Sequence, residues 1–370
     1  MLSRPATHSA RANDTYIPTL DGWRAVAVAL VIGNHAISYL REQQWPGMEI
    51  AIRLLGHGGI GVDIFFALSG YLISTLLLSE KERSGSVHLG SFYVRRVFRI
   101  IPPIAVYLAC LIALRGMDLL PKVNNDELVA SLFFFRNYID TGSWYSSHFW
   151  SLAVEEHFYL VIPWILLWLL PRRAAQVLAG LALTCIVARW VTHEWHFYQG
   201  FNAEFRTENR VDALMWGAFL AVMLRADERR QWLQQHLTVP RVLMLAGIAA
   251  FLMIVWPGMP LRRTLVALVL PLLIICTVLH PSHWASRPLE WTGMRWIGRH
   301  SYSLYIWQML FFVDLPHRDL PLVQTLPVAL IASLACAAAS YRFVERPMIR
   351  LGHQLAERAA SARSITLRQP

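Results

Sequence analysis

The chain has 370 residues, 55% of them hydrophobic and only 16% charged, with a formal net charge of +10. A soluble domain carries roughly 25% charged residues, so this composition argues against the two or three soluble domains that the length alone would suggest. The basic excess falls mostly in short loops between apolar runs, and no stretch interleaves basic and aromatic residues on a polar face; this excludes nucleic acid as the expected partner and points to the lipid bilayer.

Residues 1–17 are polar, and the apolar run after Arg24 is not followed by a small-residue cleavage site, so a retained first helix is predicted rather than a cleaved signal peptide. Apolar runs near the roughly 20 residues that cross a bilayer predict spans at 20–40, 60–79, 99–115, 149–170, 174–191, 210–224, 239–256, 264–280, 300–313 and 325–343. The run Leu128–Phe135 is too short to span and reads as a re-entrant, interfacial or loop element. The expected fold class is therefore all-α, a polytopic membrane protein of about ten transmembrane helices. With the N-terminus inside and alternating sides, the inner segments hold about 22 of the 34 Lys and Arg residues, which predicts both termini in the cytoplasm. There is no internal repeat or low-complexity linker. One membrane domain is expected over 1–350, followed by a basic cytoplasmic tail at 351–370. Cys110, Cys185, Cys276 and Cys336 lie inside apolar runs with no CxxC and no His–Cys cluster. They read as small buried hydrophobes, and neither a disulfide framework nor a metal site is expected.

Ionisable residues within spans are costly, so each is a functional candidate. The first span carries Arg24 and His35, with Asp21 placed to cap it. Their eleven-residue separation is about three helical turns, or about 16 Å, and returns to within about 20° of the same direction, so both side chains share one face. Singly, Arg24 could snorkel to the interface and His35 could pack as a polar residue; the shared face favours function. The fourth span opens with Ser151, Glu155 and Tyr159 along one stripe. Running from outside to inside, it should place Glu155 at a depth similar to His35, where a carboxylate can orient the imidazole. Glu156 is explained by the positive end of the helix.

Further polar residues sort by depth. On the outer side are Asp63 and the pair Arg210 and Asp212, read equally as a structural ion pair or as acceptor contacts. On the inner side are Lys81, Arg83, Arg95, Arg96 and Arg99, which suit topology and anionic lipid, or the bidentate binding of a polyanionic ligand. Ser69 and Gly70 fall mid-membrane, where small residues allow close helix approach or leave room for a narrow ligand. The sequence has no G-x-S-x-G nucleophile elbow.

Several of these stretches together resemble acyltransferase family 3, bacterial integral-membrane acyltransferases that modify polysaccharides, lipopolysaccharide and some antibiotics. The resemblance rests on Arg24-x10-His35, Gly61-Val62-Asp63-Ile64-Phe65-Phe66, Tyr93-Val94-Arg95-Arg96-Val97-Phe98-Arg99, Phe149-Trp150-Ser151-Leu152-Ala153-Val154-Glu155-Glu156, Ser301-Tyr302-Ser303-Leu304-Tyr305-Ile306-Trp307 and Tyr341-Arg342-Phe343-Val344-Glu345-Arg346-Pro347. It covers roughly residues 16–350. It departs from the family where Gln308 stands in a position that often holds His, and the extra hydrolase-like domain of some members is not expected here, so acyl transfer would go directly to the acceptor or through a separate partner protein.

The resemblance implies O-acyl transfer in the cell (inner) membrane. Acyl-CoA, acetyl-CoA being the expected form, would be a co-substrate, with no permanently bound cofactor and a carbohydrate or glycolipid as acceptor. Arg24, Arg95, Arg96 and Arg99 would hold the nucleotide phosphates, and the pantetheine arm would pass Ser69 and Gly70. His35 would act as general base with Glu155 orienting it, or would form an acyl-histidine. Asp63, Ser151, Arg210 and Asp212 would serve the acceptor side or the structure. The competing reading is a secondary transporter of a sugar or lipid-linked precursor, in which Arg, His and Glu form a relay; a third is a non-catalytic membrane scaffold, which would need neither the aligned Arg24 and His35 nor the Glu pair. The sequence leaves the oligomeric state open.

Overall fold

The apolar runs fold as helices in the computed structural model, which describes residues 16–366 apart from 38, 40, 42–48, 50–51, 53–55, 57, 195–202, 257–261 and 314–317. The polar start of the chain, residues 1–15, and the last four residues of the tail therefore lie outside the described residues. The described residues are helical or irregular, with no strand among them. Five helices are long and apolar enough to cross a membrane, and a sixth qualifies if a pair bent by 66° is one span.

The first helix, α1 (Pro18–His35), starts on proline, whose missing N–H costs nothing in the first turn. Asp21 consequently sits inside the helix rather than at its cap, which corrects the expectation above; its carboxylate accepts from the Tyr16 hydroxyl at 2.8 Å and pairs with Arg24 at 3.3 Å. Next come α2 (Ile60–Ser84) and α3 (Leu89–Gly116), the latter starting well before the expected span and accommodating Pro102 and Pro103. The short run before the fourth span forms α4 (Asn125–Leu132), an eight-residue helix. It is fixed by a capping box in which Asn124 and Glu127 satisfy each other's backbone N–H groups at 2.9 and 2.7 Å.

After α5 (Phe149–Trp168) and α6 (Pro171–Glu194), a four-residue turn, α7 (Thr207–Arg210), leads into α8 (Asp212–Met223). The bent pair is α9 (Asp227–His236) and α10 (Val239–Val255). Then follow α11 (Arg262–Leu279), α12 (Thr292–Phe311), α13 (Val328–Ser340) and α14 (Arg346–Thr366), the last two joined by a π-turn over Tyr341–Glu345. The helix α14 runs through the boundary drawn at residue 350: Gly352 packs on Phe98 of α3 and Ala356 is buried.

Two layers of packing position the site. α1 lies against α12 and α2, while α2 packs most closely on α8. That last contact needs glycine on both sides. A Cβ on Gly70 would meet the Leu214 backbone, and one on Gly217 would meet the Ala67 carbonyl. Gly70 is thus spent on packing, while its neighbour Ser69 faces the interior cavity. The largest buried cluster joins Phe66, Ile104, Tyr107, Phe149, Phe158 and Phe312.

The periphery has the opposite character. The most apolar windows of α3 and α6 are only 33% and 28% buried within the protein. Side chains such as Trp168, Phe251 and Ile254 are exposed. Apolar helices whose long faces are left uncovered suit hydrocarbon rather than water, so the chain is a membrane protein.

Candidate functional site

Two cavities lie inside the helical array, and they share two lining residues, Val62 of α2 and Tyr305 of α12. The first is narrow, about 160 Å³. The second is wide, about 880 Å³. Arg24 lines the narrow cavity and His35 the wide one, so the two side chains that share a face of α1 open into adjoining spaces.

The narrow cavity is lined by side chains of both charges. Arg24, Arg96 and Arg99 line it together with Glu155, Glu156, Tyr159, Ser69, Ser151 and Tyr302. Arg96 also lies over the Tyr159 ring, 5.1 Å from its centre, a cation–π contact that holds the guanidinium while leaving its N–H donors available. Arg95, one residue earlier on α3, turns the other way: it pairs with Glu80 at 3.3 Å and is absent from the cavity lining. Lys81 is likewise occupied, capping the end of α5 through the carbonyls of Leu166 and Leu167 at 2.7 and 3.1 Å.

Glu155 belongs to this basic cavity and not to His35. Its carboxylate accepts hydrogen bonds from Ser69 and from Tyr159. The expectation that it orients the imidazole is therefore corrected. The reason is depth: Ser151 is level with Tyr305, bonding its hydroxyl at 2.5 Å, and Glu155 lies one further turn, about 5.4 Å, into α5, on the far side of the residues that the two cavities share.

His35 has a different partner. Its Nδ1 lies 2.8 Å from Oε1 of Gln308 on α12, and the Trp144 ring meets it edge-on at 5.5 Å. With a carbonyl oxygen facing it, Nδ1 carries the proton and Nε2 presents its lone pair, the tautomer a general base requires. Gln308 is fully buried. Sequence reading noted it only as a departure from a family pattern; a contact spanning 273 positions leaves no trace in local spacing.

The ion pairs expected near the acceptor side are crossed. Arg210 pairs with Asp63 at 2.9 Å, while Asp212 pairs with Arg189 at 2.6 Å. Arg210 and Asp212 are two residues apart and reach different helices, so they are not partners of each other. Arg210 lines the wide cavity and lies over the Trp150 ring at 5.0 Å. Asp63, Asp212 and Arg189 do not line it; the two pairs tie α2 to α7 and α6 to α8.

The loop that follows α4 forms another wall of the wide cavity. Glu127 accepts from the Ser143 N–H and hydroxyl, both at 2.8 Å, and from Ser146, whose oxygen in turn accepts from Arg136 Nε at 3.1 Å. Burial draws the Arg136 guanidinium below its ordinary value, and Glu127 and Asp140 act against that. His148 ends this loop just before α5 and lines the same cavity. Burial pushes its imidazole well below the ordinary histidine range, and positive charge on His35 or Arg136 would add to the effect. It stands immediately before a recognisable stretch, Phe149-Trp150-Ser151, but only the packing reveals that it faces His35's cavity.

A family model described as an acyltransferase domain matches residues 17–342. Among curated proteins, the chain is 29% identical over 384 residues to the peptidoglycan O-acetyltransferase OatA of Listeria monocytogenes, covering 93% of this chain and 57% of that protein. It is 28% identical over 379 residues to the O-acetyltransferase OatA of Staphylococcus aureus, covering 91% of this chain and 58% of that one. The chain thus spans a little under three-fifths of these relatives. No solved structure matches it.

Proposed function

The chain belongs to acyltransferase family 3, and from that premise we propose that it is a multi-pass O-acetyltransferase of the inner membrane, moving an acetyl group from cytoplasmic acetyl-CoA to a hydroxyl of a cell-envelope glycan. The relatives' names support the reaction and the acceptor class. The observation that carries the mechanism is the junction of the two cavities at Val62 and Tyr305, with arginines on one side and an oriented imidazole on the other. The transporter reading finds no support among these relatives and is set aside.

In this reading about ten spans place both termini in the cytoplasm, as the Lys and Arg distribution suggests. The narrow cavity opens inward. Arg24, Arg96 and Arg99 bind the phosphates of the donor, for which the guanidinium fork is well suited. The pantetheine arm, slender enough for a constricted passage, runs past Ser69 and Glu155 and brings the thioester to Tyr305. Acetyl-CoA is consumed as a co-substrate, and no resident cofactor is required. The glycan enters the wide cavity, where Trp144 supplies an aromatic ring and the volume accommodates sugar rings. His35 Nε2 takes the proton of the attacking hydroxyl, and Gln308 holds the ring in the basic tautomer. A sugar hydroxyl is far from acidic at neutral pH, so this assistance controls the rate.

The test is release of free CoA from acetyl-CoA by the purified protein in lipid nanodiscs, with and without a soluble peptidoglycan fragment. Glycan-dependent release that is lost in a folded His35→Ala variant is the expected result. Full release by that variant would end the assignment of His35, and no release by the unaltered protein would end the acyl-transfer reading.

A further inference from the structure

We infer that His148 is a second catalytic imidazole, an N–H donor that holds the carbonyl oxygen of the acyl group while His35 handles the proton; this rests on the acyl-transfer reading above. His148 is 3% exposed, and neither Nδ1 nor Nε2 has a hydrogen-bond partner among the described residues. A buried imidazole with both nitrogens unpaired is rare, because burial strips its water without replacement, and it calls for an explanation. Its position supplies one. The residue lines the wide cavity together with His35 and Tyr305, and both nitrogens lie just beneath that surface, each with less than 1 Å² exposed, so the oxygen of a bound acyl group meets the N–H through a side-chain shift on binding.

The ring is also held in place. It packs against Phe149 at 4.4 Å, Tyr305 at 5.5 Å and Tyr107 at 5.6 Å between ring centres. Its backbone carbonyl lies 3.0 Å from Ser151 Oγ and 3.1 Å from Tyr305 OH, and the two hydroxyls lie 2.5 Å apart, so one of them donates to the carbonyl and the other to its neighbour. The Tyr305 hydroxyl is thereby engaged with protein groups. The two histidines then differ in the way their tasks require. His35 has a partner that fixes its tautomer, as a base needs. His148 packs among three rings and has no hydrogen-bond partner among the described residues, which leaves its N–H for a group whose charge develops only during reaction. A neutral ring suits this role, since it carries one N–H donor in either tautomer.

The acceptor oxygen bonds to the thioester carbonyl carbon, and its proton passes to His35 Nε2. The carbonyl π electrons move onto oxygen, which receives the His148 N–H. The intermediate collapses to the ester, the C–S bond breaks, and the sulfur leaves as thiol with the proton from His35.

The experiment compares His148→Leu, which keeps bulk, with His148→Gln, which restores an N–H donor, in the nanodisc assay with acetyl-CoA and the peptidoglycan fragment. Expected is a fall of about 100-fold or more in kcat for the leucine variant, with KM for acetyl-CoA within about twofold, and recovery of at least about tenfold in the glutamine variant. Equal losses in both, or a leucine variant within about threefold of the unaltered protein, would assign His148 to packing or to an ordered water and overturn the inference. Should the leucine variant fail to fold, His148→Met takes its place under the same criteria. Because the unaltered protein must release CoA for either comparison to be made, failure of the acyl-transfer reading is seen separately.

Discussion

The narrow and wide cavities hold their polar groups differently. In the narrow one, Glu155 takes two hydroxyls, Arg24 has Asp21, and Arg96 rests on Tyr159. In the wide one, His35 has one partner and a free Nε2, and His148 has none among the described residues. A site that grips a charged ligand benefits from cations already held in place, whereas a site that moves protons and develops charge needs groups whose bonds are completed only by the reacting atoms. Substitutions in the two cavities should therefore separate kinetically: kcat from the wide cavity, KM for the donor from the narrow one.

The largest effect is expected for His35→Ala, with glycan-dependent CoA release falling by about 100- to 10,000-fold, the range for loss of a general base. A smaller change in kcat, with KM raised instead, would move His35 to the binding side of the comparison. Next is Gln308→Leu, which removes the carbonyl that fixes the tautomer of His35. A drop of about 10- to 100-fold in kcat is expected, with donor KM unchanged. Gln308→Glu sharpens the point: a carboxylate at this position raises the basicity of the imidazole and should move the acidic limb of the pH–rate profile upward. An unmoved limb would remove Gln308 from the proton-handling side.

How much of this was legible beforehand can be judged from particular residues. The helices were visible because crossing a bilayer demands about 20 apolar residues, a constraint stronger than any soluble propensity. Their ends were not: α3 begins at Leu89 and α12 at Thr292, several residues before the apolar runs, because helix continues past the hydrophobic layer. Arg24 and His35 could be placed on one face since both lie on the same helix. Glu155 could not be placed relative to His35, because comparing depths on two helices needs their starting points and tilts. The same blindness hid the Gln308 contact and the crossed pairs Arg210–Asp63 and Arg189–Asp212, each of which joins residues from different helices.

The donor side gives smaller effects. Arg24→Ala removes one of three guanidinium groups that line the narrow cavity. A rise of about tenfold in KM for acetyl-CoA is expected at unchanged kcat, the scale of one charge-assisted contact. An unchanged KM would count against phosphate binding there.

The smallest effect belongs to Arg95, and it discriminates best between a basic helix and a basic site. Arg95, Arg96 and Arg99 occupy one stretch of α3, and from sequence all three are equal candidates for the donor's phosphates. Helical spacing does not separate them, since residue 99 lies about 40° from residue 95 and about 60° from residue 96 around the helix axis. Packing separates them: Arg96 and Arg99 line the narrow cavity, and Arg95 pairs with Glu80 of α2 instead. An exposed or half-exposed ion pair of this kind contributes little, about 0–1 kcal/mol. Arg95→Ala should therefore change KM for acetyl-CoA by less than about twofold, while Arg99→Ala raises it about as much as Arg24→Ala does. If the Arg95 variant loses donor affinity as strongly as the other two, the phosphates are held by the field of the whole basic helix end, and the narrow cavity is not their binding site.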